Sequence, residues 1–331
     1  MRKILFTAAL IGLVFAGFTG CGGETGVSGQ REQFESTVNS DGAEDTSVQE
    51  KTGEQIASVE FTDALGYELK LTAQQRIAVL SESLADAWLL AGGELAASTQ
   101  DAKAVVPKDT VIAGTLKNPS FELLIAQDID CVILSSSIAE HVNMRESLES
   151  AGIQTAYFEV ETFNEYLAMM KIFTDITGRE DLYQKNGEDI RVQIEEQIER
   201  QNGSTPRVLF LRAYSGGINA KGSDSMVGRM LQDLGCRNIA DSRESLLQNL
   251  SMEEVRESDP DFIFVTTMGE SPEGALAMVE KLLCSDSSWN DLKAVKENHY
   301  FVLPKELFHN KPNKRWAESY RMLADDLYGK Q

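Results

Sequence analysis

The chain has 331 residues, 42% of them hydrophobic, an ordinary share for a globular protein with room for two compact domains after an N-terminal segment. A formal net charge of -21 argues against nucleic acid or an anionic membrane surface as the main partner, since both require a basic face. No two of its four cysteines form a C-x-x-C pair, which speaks against a zinc knuckle or a thioredoxin-like redox site.

Arg2 and Lys3 precede an uncharged apolar run over residues 4–18, too short to span a bilayer comfortably but suited to a signal peptide, so residues 1–20 read as an export signal. Phe18-Thr19-Gly20-Cys21 resembles a bacterial lipobox, with Phe18 where Leu is usual. The resemblance implies lipidation of Cys21 and an anchor on the outer face of the cell membrane; the alternative is a plain secretory signal with an incidental cysteine. Residues 21–58 are rich in Gly, Ser, Thr, Gln, Asp and Glu, offer too little apolar surface to fold, and read as a flexible acidic linker.

Across residues 59–179 short β-type runs alternate with helical patterns, which predicts an α/β lobe. Strands are expected over 76–80, 131–134 and 155–158, and helices over 83–91 and 120–127. The first helix carries Leu84, Ala87, Trp88 and Ala91 at helical spacing and stops at Gly92-Gly93. Cys131, inside an apolar run, reads as a small core hydrophobe. Residues 180–202 place Ile190, Ile194 and Ile198 on one stripe and predict a single linking helix, about 33 Å long if continuous over 180–201, with Gly187 its weak point.

The α/β pattern restarts over residues 203–331, with strands over 207–211, 261–266 and 299–303 and helices over 225–234, 272–283 and 313–328. A glycine-rich loop follows the first of these strands. Cys236 and Cys284 read as free thiols, with a disulfide as the other possibility. Two α/β halves joined by a long helix imply a cleft between them, the default place for a ligand.

Several segments in order carry a resemblance to a known family. They are Thr62-Asp63-Ala64-Leu65-Gly66, the helix ending at Gly93, Asn118-Pro119-Ser120-Phe121-Glu122 before Asp128-Ile129-Asp130-Cys131-Val132-Ile133, and Ser251-Met252-Glu253-Glu254-Val255 before Asp259-Pro260-Asp261-Phe262-Ile263. Over residues 59–329 the chain resembles the class III periplasmic binding proteins, the substrate-binding proteins of ABC importers for siderophores, haem and cobalamin. The resemblance implies two Rossmann-like α/β lobes joined by one long helix that permits modest closure. It also implies a monomer without intrinsic cofactor, which carries a chelated metal, ferric siderophore first and haem or corrinoid next, to the importer's permease and ATPase. The exposed glutamates through which such lobes meet transporter arginines correspond to Glu122 and Glu253, with Glu254 as the alternative to the latter. Without the resemblance, each is a helix-start carboxylate favoured by the dipole.

Ligands of open α/β sheets lie beyond the carboxyl ends of strands. That rule selects Ser83, Lys117, Asn118 and Ser136, within the serine run 135–137, in the first lobe, and Arg212, Tyr214, Met268, Phe308 and His309 in the second. Lys117 and Arg212 on one cleft would favour an anionic ligand, while Tyr214, Phe308, His309 and Met268 suit a bulky chelate. Phe308 has a packing alternative beneath Trp316, and Tyr214 a turn alternative. Three histidines, His141, His299 and His309, are too few for a bare-metal cage, so a metal already chelated is expected.

An α/β enzyme acting in the cleft is the main rival, yet the sequence has no G-x-S-x-G, G-x-x-x-x-G-K-[ST] or H-E-x-x-H motif. Gly222-Ser223-Asp224-Ser225 only superficially suggests a nucleophile turn, since loop serines commonly cap helices. A binding protein for an oxyanion or bare metal, and a surface-presenting adhesion or signalling module, are further alternatives.

Overall fold

A computed structural model describes residues 58–330 apart from 249 and 270. The expected signal segment, Cys21 and all but the last residue of the expected linker lie outside the described residues. Among the described residues no helix is long and apolar enough to cross a membrane.

The first lobe begins with an antiparallel ribbon of β1 (Ser58–Thr62) and β2 (Glu68–Thr72). The Asp63 carboxylate closes its turn by accepting from the backbone N–H groups of Leu65 and Tyr67, and it also accepts from that of Tyr157 in the neighbouring sheet. There follow β3 (Ile77–Val79), β4 (Ala97–Ser98), β5 (Val111–Ile112), a small ribbon of β6 (Gly114–Thr115) with β7 (Asn118–Pro119), then β8 (Cys131–Ser135) and β9 (Gln154–Phe158). The main sheet is parallel in the order β5-β4-β3-β8-β9. Both of its faces are covered, and the alternation along β8 shows why its run is apolar throughout. Val132 and Leu134 pack with Leu80, Leu124 and Tyr157, while Cys131 and Ile133 face the cluster that holds Trp88, Met170 and Phe173.

The helix Phe163–Thr177, which the chain-order pattern does not single out, is the longest described element. It starts with a capping box between Thr162 and Glu165 and ends at Gly178, whose φ of 70° needs a residue without a Cβ. The linking segment is helical over Glu180–Tyr183 and Asp189–Ile198, but the expected regular helix is interrupted by a π-helical turn at Gln184–Glu188. Tyr166 donates to the Asn186 carbonyl at 2.9 Å and the Asn186 amide donates to the Leu90 carbonyl at 2.9 Å, so outside partners take up groups that the wider turn leaves free. Gly187 is buried there against Leu167, where a Cβ would come within 2.8 Å of the Leu167 Cδ1.

The second lobe contains β10 (Arg207–Tyr214), β11 (Gly217–Ala220), β12 (Arg237–Asn238), β13 (Phe262–Thr267) and β14 (Tyr300–Leu303), in the order β11-β10-β13-β14 with β12 beside the start of β10. The β11 pairing is antiparallel and the others are parallel. β10 runs through Tyr214 rather than stopping at Leu211, because β11, within the stretch that reads as a glycine-rich loop, pairs with Leu211, Arg212, Ala213 and Tyr214. Three free cysteines are found among the described residues; Cys236 lies in the cluster shared with the first lobe, and burial pushes its thiol up to about 12.

One apolar cluster runs through both lobes, joining Ile133 and Phe173 to Phe210, Met230 and Phe264. It includes Trp316, fully buried, whose ring centroid lies 5.9 Å from that of Phe163 and 6.3 Å from that of Tyr166. Trp316 opens the terminal helix Trp316–Tyr328, whose Asp325 pairs with Arg200 at 2.8 Å and whose Tyr320 donates to Asp233 at 2.7 Å. A shared apolar core of this kind restricts large lobe rotations.

Candidate functional site

Between the lobes lies a cleft of about 320 Å³ lined by Glu161, Arg212, Lys221, Asp224, Ser225, Met226, His309 and Lys311. A smaller cavity of about 30 Å³ adjoins it through Lys311 and is lined by Ser83, Leu84, Ser135, Ser137, Phe158, Val160, Met169 and Asn313. The first-lobe wall is therefore mixed hydroxyl and apolar. The second-lobe wall is charged.

Each charged side chain is set by its element. Arg212 continues the face of β10 that carries Val208 and Phe210. Lys221 follows β11, and its backbone N–H donates to the Phe210 carbonyl at 2.9 Å. Ser225 caps the helix Met226–Asp233, with its Oγ accepting from Gly228 N–H at 3.3 Å and donating to the Gly222 carbonyl at 2.7 Å, while Ser223 donates to Asp241 at 2.5 Å. These bonds fix the Gly222–Ser225 turn as a helix cap, with its helix N-terminus opening into the cleft. Glu161 lies three residues past β9, and both its backbone N–H and that of Thr162 donate to the Glu165 carboxylate.

Three cations thus face two carboxylates, in a chain whose net charge is -21. Lys311 Nζ and Glu161 Oε1 are 2.6 Å apart and form an ion pair between the lobes. The Arg212 Nε is buried without a hydrogen-bond partner, as is the His309 Nδ1. Burial pushes the Arg212 guanidinium below its usual range while Glu161 pulls it back up. His309 is pushed down to about 4 by burial first, then by Arg212, Lys305 and Lys311. An anionic oxygen bound at the half-exposed Arg212 guanidinium would offset part of the cost of its burial.

Of the residues expected from the sequence, Arg212 and His309 line the cleft and Ser83 lines the adjoining cavity. Phe308 does not line either one. It is 0% exposed in the core cluster with Trp316, so packing is its role. Lys117 is exposed in the turn between β6 and β7, Asn118 is exposed in β7, and neither shares the cleft with Arg212. Ser136 donates to Glu159 at 3.2 Å, outside both cavities. Tyr214 lies over Gly216 and Gly217 at its own hairpin turn, its OH 3.0 Å from where a Gly217 Cβ would stand. Met268 follows β13, held by a backbone bond to the Ala213 carbonyl, and lines neither cavity. Glu122 and Glu253 are exposed in the first turns of the helices Phe121–Ala126 and Met252–Ser258, whereas Glu254 already accepts from Ser245 at 2.8 Å.

His141 is fully buried: its Nδ1 accepts from Ser135 N–H at 3.2 Å and its Nε2 donates to the Leu116 carbonyl at 2.9 Å, tying β8 to the small ribbon. His299 stacks on Phe262, with centroids 4.3 Å apart. Lys221 and Lys311, rather than Lys117, share the cleft with Arg212. The strand-tip rule could have found Glu161 past β9; Lys311, in an irregular segment, carries no such signal.

A family model described as Periplasmic binding protein matches residues 58–307. No curated protein matches the chain. Among solved structures, an ABC transporter substrate-binding protein from Listeria monocytogenes is 18% identical with a TM-score of 0.66, covering 77% of this chain and 98% of that one. S. aureus IsdE complexed with heme is 19% identical, with a TM-score of 0.65 over 77% of this chain and 99% of that one. FeuA from Bacillus subtilis, complexed with Ferri-Bacillibactin, is 19% identical, with a TM-score of 0.64 over 82% of this chain and 99% of that one. At these identities the likeness is one of fold.

Proposed function

The chain belongs to the periplasmic binding protein family, and from that premise we propose that it is a lipid-anchored carrier that captures an anionic metal chelate and hands it to an ABC importer. It is a binding protein rather than an enzyme. The observation that carries the ligand reading is Arg212, a half-buried guanidinium on a cleft between the lobes, whose inner Nε has no hydrogen-bond partner. Lys221, Lys311 and the N-terminus of the helix Met226–Asp233 add to the attraction for anionic oxygen. The same cations disfavour a bare divalent ion at His309, which would have to bind among three like charges.

Two of the structural relatives carry ligands of different classes, FeuA a ferric siderophore and IsdE heme. The cleft favours the first. His309 carries the one aromatic ring among its eight lining residues, and a flat macrocycle gains most of its affinity from apolar and aromatic walls. In this reading residues 59–179 and 203–331 act as the two lobes and 180–202 as the strut, while Glu122 and Glu253 meet the permease and Cys21 carries the lipid. The test is calorimetric titration with ferric citrate, a ferric tris-catecholate, haem, cobalamin and free Zn²⁺. Binding confined to the anionic ferric chelates is expected; binding of haem, cobalamin or Zn²⁺ alone would overturn the reading.

A further inference from the structure

The ion pair between Lys311 and Glu161 does more than hold the lobes. It places a carboxylate from the first lobe among the cations that the proposed ligand would need, in the same cleft as Arg212. Glu161 and Lys311 are both partly buried, with side chains 35% and 24% exposed, so the pair is less screened than one at the open surface. The Glu161 backbone is fixed by the Glu165 side chain at the start of the helix Phe163–Thr177, and Lys311 sits between His309 of the cleft and the buried Asn313.

We infer that Glu161 is a specificity-determining residue that serves as the cleft's own counter-ion, occupying Lys311 until a multiply charged oxygen chelate displaces it. A ligand with one negative charge replaces one carboxylate by another and gains little after desolvation. A ligand with two or more anionic oxygens can satisfy Arg212 and Lys221 as well as Lys311, and it then exceeds what Glu161 supplies. The resident carboxylate thereby excludes the small monoanions that any cationic cleft would otherwise collect. This inference rests on the reading of the cleft as an anionic-chelate site and names the charge class that the site accepts.

The experiment compares the full chain with Glu161→Gln, which keeps shape and removes charge. The probes are lactate, ferric citrate and the neutral ferric tris-acetohydroxamate complex, followed by calorimetry, with sulfate-dependent thermal shift as a readout that needs no iron. In Glu161→Gln, ferric citrate affinity is expected to rise by about tenfold or more, lactate binding to become measurable and the thermal shift given by the dianion sulfate to grow, while the neutral complex changes less than about twofold. Equal ferric citrate affinity in both proteins, with lactate excluded by both, overturns the role of Glu161 and leaves the carrier reading intact. A parallel change for neutral and anionic probes assigns Glu161 to packing and also overturns it. No ferric citrate binding and no sulfate response in either protein overturns the inference together with the anionic-site reading beneath it.

Discussion

The Asn313 side-chain amide donates to the Asp86 carboxylate at 2.8 Å, and its Nδ2 also reaches the Ser83 carbonyl at 2.8 Å, across 227 and 230 residues of sequence respectively. Asn313 is 2% exposed and holds a φ of 47°, a conformation that Asn tolerates better than most residues. Asn313→Ala is expected to lower stability by about 2 kcal/mol, through the lost charge-assisted bond and backbone strain. Asn313→Gly relieves the strain alone and should recover part of the loss in chemical denaturation.

Phe308 discriminates between packing and ligand contact. Its complete burial beside Trp316 predicts that Phe308→Ala costs about 3–5 kcal/mol of unfolding free energy, read by urea denaturation. Ligand affinity, measured below the new melting temperature, should change by less than about threefold, because the side chain lines neither cavity.

The depressed pKa of His309 gives a pH signature. Its folded value lies near 4, below the usual 6.5, so between those limits the unfolded chain binds the extra proton. The stability contribution is complete above pH 6.5 and is lost as pH falls toward 4. At most about 3 kcal/mol is involved, reduced by water at the cleft mouth. His309→Asn should flatten the stability profile in this window. An anion bound beside Arg212 would raise the His309 pKa, so chelate binding at pH 5.5 should take up protons, measurable as buffer-dependent binding heat.

The two exposed glutamates should separate capture from delivery. Glu122→Ala and Glu253→Ala are expected to leave ligand affinity unchanged within about twofold while reducing stimulation of the reconstituted importer's ATPase by about tenfold or more. Glu254→Ala should have a smaller effect, because Glu254 is already engaged by Ser245.

Frame and site were legible to different degrees for physical reasons. The buried runs behind β8, β10 and β13 are dictated by apolar content, and the helix starts at Ser120 and Ser225 by side chains that cap them, whereas the first helix is capped by Ser81, ahead of the expected start at Ser83. The π-turn at Gln184–Glu188 depends on what Tyr166 and Asn186 meet in space, so periodicity alone could not reveal it. Arg212 is singled out on the expectation that its strand ends at Leu211, and it lines the cleft although β10 continues through Tyr214; His309 lines it from beyond the short helix Lys305–Phe308 that follows β14. Lys311 is not singled out, because its place in the cleft is set by the buried Asn313 and Trp316 that follow it. Lys117 lies outside the cleft, exposed in the turn of the β6–β7 ribbon.

The central claim is that Arg212 is held ready for an anionic oxygen, and Arg212→Met tests it most directly. Titration of ferric citrate into both proteins should show an affinity loss of at least about tenfold, with the ligand-free variant as stable as the parent or more so, because a buried unpartnered donor has been removed. Undiminished ferric citrate affinity in a folded Arg212→Met protein would contradict it.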